Sequence, residues 1–210
     1  MTTTTTETTT IPHVRLLQLT EEIQAFLDWL RPYAPRHICE IGSADGGTAI
    51  LFCHLARGLV ISVDLPDGYG GGVSREACDQ RTAMLAAMNP QYRAVLGDSH
   101  DPETRERVAA LLQGEPLDLL FIDGDHTYAG VTQDLAMYGP LVKPGGFIAF
   151  HDINDTDVHR QFGCEVHRLW QELPGGKKEF NVHGKWGGIG VVQVSRPTET
   201  GAAWQRQVSA

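Results

Sequence analysis

The chain has 210 residues, 41% of them hydrophobic and 20% charged, which suits one domain with a sizeable core. A net charge of −9 and a pI near 5.4 argue against a nucleic-acid backbone as the main partner, because neutralising phosphates needs a basic face. No run approaches the ~18 apolar residues of a membrane span, the N-terminus has no apolar signal core, and the four cysteines form no Cys-x-x-Cys pair, so buried thiols in a reducing cytoplasm are expected.

Residues 1–12 are dominated by threonine and predict a disordered tail, since they cannot bury enough surface to offset chain entropy. A single domain is expected over 13–195, with a loose tail over 196–210. Thr20 is placed to cap a first helix whose first turn holds Glu21 and Glu22 and whose apolar face is Ile23, Phe26, Leu27 and Leu30. Pro32 and Pro35 end it. Apolar runs then predict strands at 37–41, 59–64, 92–96, 117–122, 146–151, 179–183 and 188–194. Helices are expected at 46–57, 74–88, 102–113, 127–139 and 157–172. This alternation reads as an α/β doubly wound, mostly parallel sheet of about seven strands.

The first strand runs into Glu40-Ile-Gly-Ser-Ala-Asp-Gly-Gly-Thr48. A strand that breaks into glycines and restarts as a helix lets a ligand approach bare backbone at a helix N-terminus. The spacing is not the Gly-x-Gly-x-x-Gly of dinucleotide binders, which argues against a nicotinamide dehydrogenase. The acid ahead of the turn suits a ligand that carries positive charge. Asp64 ends the second strand at close to the roughly 20-residue offset at which a βαβ unit puts an acid on ribose hydroxyls. Asp98 and Ser99 follow the third strand, where Asp98 is equally suited to cap the next helix. No Gly-x-Ser-x-Gly elbow of a hydrolase is present.

Asp123-Gly124-Asp125-His126 ends the fourth strand and His151-Asp152 the fifth. Holding several ionisable groups so close is costly unless a cation or a shared proton neutralises them. Neighbouring strands lie ~4.8 Å apart, so Asp123 and Asp152 could reach one ion, and oxygen donors suit Mg²⁺. Without a metal, His126 or His151 is placed to act as general base. Residues 66–72, rich in glycine, could form a lid; the stretch 155–163 and the turn ending at Trp186 could wall the acceptor, and Tyr128 could touch it, while Tyr138 packs.

These motifs, with Gly97-Asp98-Ser99, Leu141-Val-Lys-Pro-Gly-Gly146 and Phe150-His151-Asp152, resemble the class I S-adenosylmethionine-dependent methyltransferases over most of 20–195. Within them the chain looks similar to macrocin-type sugar O-methyltransferases and cephamycin-pathway methyltransferase-like proteins. The resemblance implies a terminal antiparallel hairpin. It also implies a donor site in which Gly42, Ser43, Gly46 and Thr48 hold S-adenosylmethionine, with Glu40 near its amino-acid portion. Asp64 with Leu65 would meet the ribose, Asp98 with Ser99 the adenine, and Asp123 would face the same site. It further implies a divalent metal on Asp123, His151 and Asp152, with Asp125, His126 or His151 deprotonating a small-molecule hydroxyl on a sugar or an aromatic secondary metabolite. Here the chain departs from the macrocin-type pattern: imidazole replaces one of two acids at His151, which shifts preference toward Mn²⁺, Fe²⁺ or Zn²⁺. The alternatives are a metal-independent methyltransferase and a non-catalytic donor-binding subunit. No membrane or nucleic-acid partner is expected, and a homo-oligomer is compatible with the sequence.

Overall fold

The computed structural model describes residues 15–66, 74–182 and 185–195. The expected tails at 1–12 and 196–210 and most of the expected lid therefore lie outside the described residues. Seven strands form one sheet: β1 (Ile38–Ile41), β2 (Val60–Asp64), β3 (Tyr92–Leu96), β4 (Leu117–Ile122), β5 (Val142–Phe150), β6 (Lys177–Phe180) and β7 (Ile189–Gln193). Their order is β3-β2-β1-β4-β5-β7-β6. The pairs among β1 to β5 are parallel, and β7 runs antiparallel to both β5 and β6. The helices are α1 (Thr20–Leu30), α2 (Gly47–Leu55), α3 (Arg75–Met88), α4 (Pro102–Leu112), α5 (Tyr128–Tyr138), α6 (Asp157–Gln161) and α7 (Val166–Glu172).

Side-chain alternation along the strands divides the core into two layers. In β4, Leu119 and Phe121 pack with Phe26 of α1, Phe52 of α2 and Leu85 of α3. Leu120 and Ile122 point the other way, onto Val108 of α4, Leu135 of α5 and Leu169 of α7. Strands covered on both faces are mainly apolar, which is why β1 and β4 read as hydrophobic runs broken only by Glu40 and Asp118. The chain winds outward from β1 to β3 and then returns to β4, so the winding direction switches between β1 and β4. A crevice opens there, outside the carboxyl ends of the strands.

Three local expectations are corrected. Thr20 is the first residue of α1 rather than its cap; Leu19 holds the cap position, and its N–H donates to Glu22 Oε1 at 3.2 Å. The helix expected over 157–172 is two helices, broken around Gly163 at φ +69°, a conformation that interrupts a right-handed helix. The hairpin strand expected at 179–183 lies earlier, at Lys177–Phe180. All four cysteines are buried free thiols.

Candidate functional site

Residues from the ends of β1, β2, β3, β4 and β5 line the crevice, which has a volume of about 880 Å³. That is within the usual range for small-molecule sites. At its centre, Gly42 leaves β1 at φ +82°. A Cβ there would lie 2.0 Å from the Asp123 carbonyl oxygen, so the turn and the end of β4 meet only because this residue has no side chain. Ser43 Oγ donates to Asp64 Oδ2 at 3.1 Å, and Leu65 N–H donates to Asp64 Oδ1 at 2.9 Å. Gly42, Ser43, Thr48, Asp64, Leu65, Asp98, Ser99 and Asp123 all face the crevice.

Glu40 and Gly46 are not among the lining residues. Gly46 turns toward the Arg81 side chain. Glu40 is fully buried behind the turn, where Oε2 accepts from Ser62 Oγ at 3.0 Å and Oε1 has no partner. Burial pushes its pKa up to about 8. In β1 the side chain of Glu40 points into the α1–α3 layer, like Ile38 before it and its register partner Phe121 in β4. Arg81 lies beneath Asp64, with Nη2 3.6 Å from Oδ2. The cap of α4 is Asp101, which accepts from Glu103 N–H at 2.9 Å; Asp98 instead accepts from His100 N–H at 2.9 Å and faces the crevice.

The other half of the crevice is a cluster of charge. His151 Nδ1 lies 3.2 Å from Asp123 Oδ1 and 3.3 Å from Asp152 Oδ1. His126 spans the same two carboxylates, with Nε2 3.3 Å from Asp123 Oδ1 and Nδ1 3.3 Å from Asp152 Oδ2. Burial works against a charged His126, but Asp123 and Asp152 outweigh it and push its pKa up to about 9. His151 is likewise raised against burial by Asp123, Asp152 and Glu22. In turn the two imidazolium rings hold Asp123 and Asp152 below the usual carboxylate range, although burial alone would raise them. Asp152 sits at φ +61°, a strained position for a residue with a side chain.

One ligand atom each from Asp123, His151 and Asp152 lies within 4.8 Å of the others. Two carboxylate oxygens and one imidazole nitrogen on a crevice wall fit a divalent cation with open positions for a ligand. Asp125 stands apart from this group. It faces the crevice, but its carboxylate accepts from Thr127 N–H at 2.8 Å and so serves the start of α5. Tyr128 turns away from the crevice: its hydroxyl donates to Glu172 Oε2 at 2.5 Å, and the Arg168 guanidinium covers its ring. Tyr138 packs in the core and donates to the Ser99 carbonyl at 3.0 Å.

Four polar side chains around the site were not proposed as site residues from the sequence. Gln18 Nε2 donates to Asp123 Oδ2 at 2.7 Å, while its Oε1 accepts from Thr48 Oγ1 at 2.6 Å, so one amide ties the glycine turn to the charged cluster. Glu22 reaches His151 from α1, and His159 Nε2 lies 3.1 Å from Asp152 Oδ1. Asp134, buried under Gly124, is pushed up to about 6 by burial. Glu22 and Asp134 occupy apolar-face positions of their helices, a signal readable in principle; Gln18 and His159 lie in segments without periodicity.

The sheet order, the glycine turn at the switch point and the acid ending β2 define a class I methyltransferase fold. Residues 39–153 match the family described as "Methyltransferase domain", and the chain belongs to that family of S-adenosylmethionine-dependent enzymes. Among solved structures, the MycE methyltransferase from the mycinamycin biosynthetic pathway, in complex with Mg, SAH and mycinamycin VI, is similar with 19% identity and a TM-score of 0.56. That match covers 85% of this chain and 50% of MycE. An O-methyltransferase from Bacillus cereus in complex with SAH matches at 18% identity and TM-score 0.62, covering 87% of this chain and 84% of that one. The uncharacterized protein R132 of Acanthamoeba polyphaga mimivirus is 38% identical over 61 residues, which are 29% of this chain. The chain thus spans only 28% of that viral protein's length. Among the described residues no helix is long and apolar enough to cross a membrane.

Proposed function

We propose that this protein transfers the methyl group of S-adenosylmethionine to a hydroxyl of a small molecule, a sugar or an aromatic secondary metabolite, with a divalent cation assisting. One observation carries the reading. A single crevice joins the glycine turn and Asp64 to the Asp123–His126–His151–Asp152 cluster, and no wall separates them.

The division of labour follows from the chemistry. A sulfonium methyl is already activated, so the protein must align the two reactants and take one proton. The turn at Gly42 and Ser43, with Asp64 on the ribose side and Asp98 on the adenine side, binds and orients the donor. Asp123, His151 and Asp152 would hold the cation, which lowers the acidity barrier of a bound hydroxyl. Asp123 and Asp152 favour the protonated form of His126; a cation held by those carboxylates would weaken that preference and leave the imidazole available as base. Leu17, Phe162 and Trp186 rim the charged end with exposed apolar surface, Phe162 at 80% exposure, and supply the wall against which an acceptor would lie.

Calorimetric titration with S-adenosylmethionine and S-adenosylhomocysteine, with and without Mg²⁺ or Mn²⁺, tests the reading. Binding of both nucleosides and turnover lost to a chelator support it. Absence of any nucleoside binding ends it, and turnover that survives loss of both Asp123 and Asp152 ends the metal portion. Partner chains, cytoplasmic location and oligomeric state belong to the same proposal, with a homo-oligomer open.

A further inference from the structure

Behind the charged cluster lies a second layer, built from parts of the chain far apart in sequence. Glu22, on α1, is 1% exposed. Its Oε1 is 3.0 Å from His151 Nε2, and the same oxygen accepts from Leu19 N–H at 3.2 Å. Its Oε2 accepts from Gly188 N–H at 2.8 Å. The carboxylate is therefore clamped by two backbone donors and cannot swing away from the ring. The approach requires glycine: Gly187 and Gly188 lie at φ +87° and +88°, and a Cβ on Gly187 would stand 2.9 Å from Glu22 Oε1.

A carboxylate can only accept, so without a cation both ring nitrogens carry hydrogen; a cation on Asp123 and Asp152 would take the place of the Nδ1 proton and leave Nε2–H on Glu22. With Nε2 committed to Glu22, Nδ1 is the nitrogen turned to Asp123 and Asp152. Histidines that bind metals commonly give their other N–H to a carboxylate, which fixes the ring and raises its basicity.

We propose that Glu22 is a positioning residue that completes a carboxylate–histidine–cation relay, holding His151 so that Nδ1 serves as the third ligand beside Asp123 and Asp152. This rests on the cation reading above and deepens it: the imidazole that stands in place of an acid is made a stronger donor by a carboxylate brought from α1. The first helix is then part of the metal centre and not only a cover for the sheet.

The test is direct titration of the purified, metal-free protein with Mn²⁺ alone, read by calorimetry and by electron paramagnetic resonance, in wild type, Glu22→Gln and Glu22→Leu. S-adenosylhomocysteine binding reports on the fold of each. The relay predicts a fall in Mn²⁺ affinity of about tenfold for Glu22→Gln, whose amide oxygen still accepts from Nε2, and up to about 100-fold for Glu22→Leu. Nucleoside affinity stays within about threefold, because Glu22 does not reach that part of the crevice. Glu22→Gln keeps the shape of the side chain and provides the readout if the leucine variant fails to fold. Wild-type Mn²⁺ affinity in a variant that still binds the nucleoside overturns the relay while leaving the cation reading intact. A wild-type protein that binds S-adenosylhomocysteine but no Mn²⁺ overturns both.

Discussion

Replacing Glu40 with glutamine separates the two places this acid could act. The sequence puts it near the donor's amino-acid portion; the structure puts it behind the turn, fully buried, with Oε1 unpartnered. Burial raises its pKa from 4.5 to about 8. The folded chain therefore binds this proton more tightly than the unfolded chain, and the stability it contributes is present below pH 4.5 and lost as pH rises through about 8. Each pH unit within that window costs about 1.4 kcal/mol. Glutamine resembles the protonated acid and does not ionise, so Glu40→Gln gains on wild type as pH rises: close to nothing at the acid end, ~3 kcal/mol at neutrality, and ~5 kcal/mol above the upper pKa. Urea unfolding followed by tryptophan fluorescence at several pH values measures the difference. The same variant should change S-adenosylhomocysteine affinity less than about threefold, because no crevice contact is altered. A stability difference that stays flat with pH, or a hundredfold loss of nucleoside affinity, would refute the buried placement.

Gly42→Ala should lose roughly 3 kcal/mol of stability together with nucleoside binding, since the new methyl enters the Asp123 carbonyl at a positive φ; denaturant melts and calorimetry check both. Asp64→Asn should fold and lose about 10- to 100-fold in nucleoside affinity, the scale of a hydrogen bond to a charged group, and an unchanged affinity would count against its ribose role. Asp134→Asn should stabilise the protein above pH 6, where the buried acid must otherwise ionise, and leave it unchanged near pH 4; the measurement is again denaturant unfolding against pH. For His126, whose pKa is raised from 6.5 to about 9, stabilisation of the metal-free cluster is full below pH 6.5 and fades as pH approaches 9. Mn²⁺ affinity should accordingly climb across that window, and a pH-independent affinity would show that the cation does not compete with these protons.

Much of the fold was legible in the chain because its physics is local. Strands buried on both faces are mainly apolar, and the glycine turn needs a residue without a side chain where β1 meets β4, at Gly42 against Asp123. The acids at the strand ends were legible for the same reason, since a carboxyl end at the switch point is where ligands bind. Apolar periodicity did not show where the chain stops being regular: the break at Gly163 depends on a single positive φ, and the start of α1 on Glu22 accepting from Leu19 N–H.

Sequence by itself thus determined the sheet, the glycine turn and the strand-end positions of Asp64, Asp123, His151 and Asp152, because each follows from apolar periodicity and from where the runs stop; the roles assigned to them come with the family resemblance. Tertiary structure alone decided that Glu40 points away from the crevice, that Tyr128 turns to Glu172, and that Gln18, Glu22 and His159 stand behind the charged residues. These are distances across the fold, between residues more than a hundred positions apart in the case of Glu22 and His151. No local pattern encodes them, since a buried charge takes its role from the partner that packing brings to it.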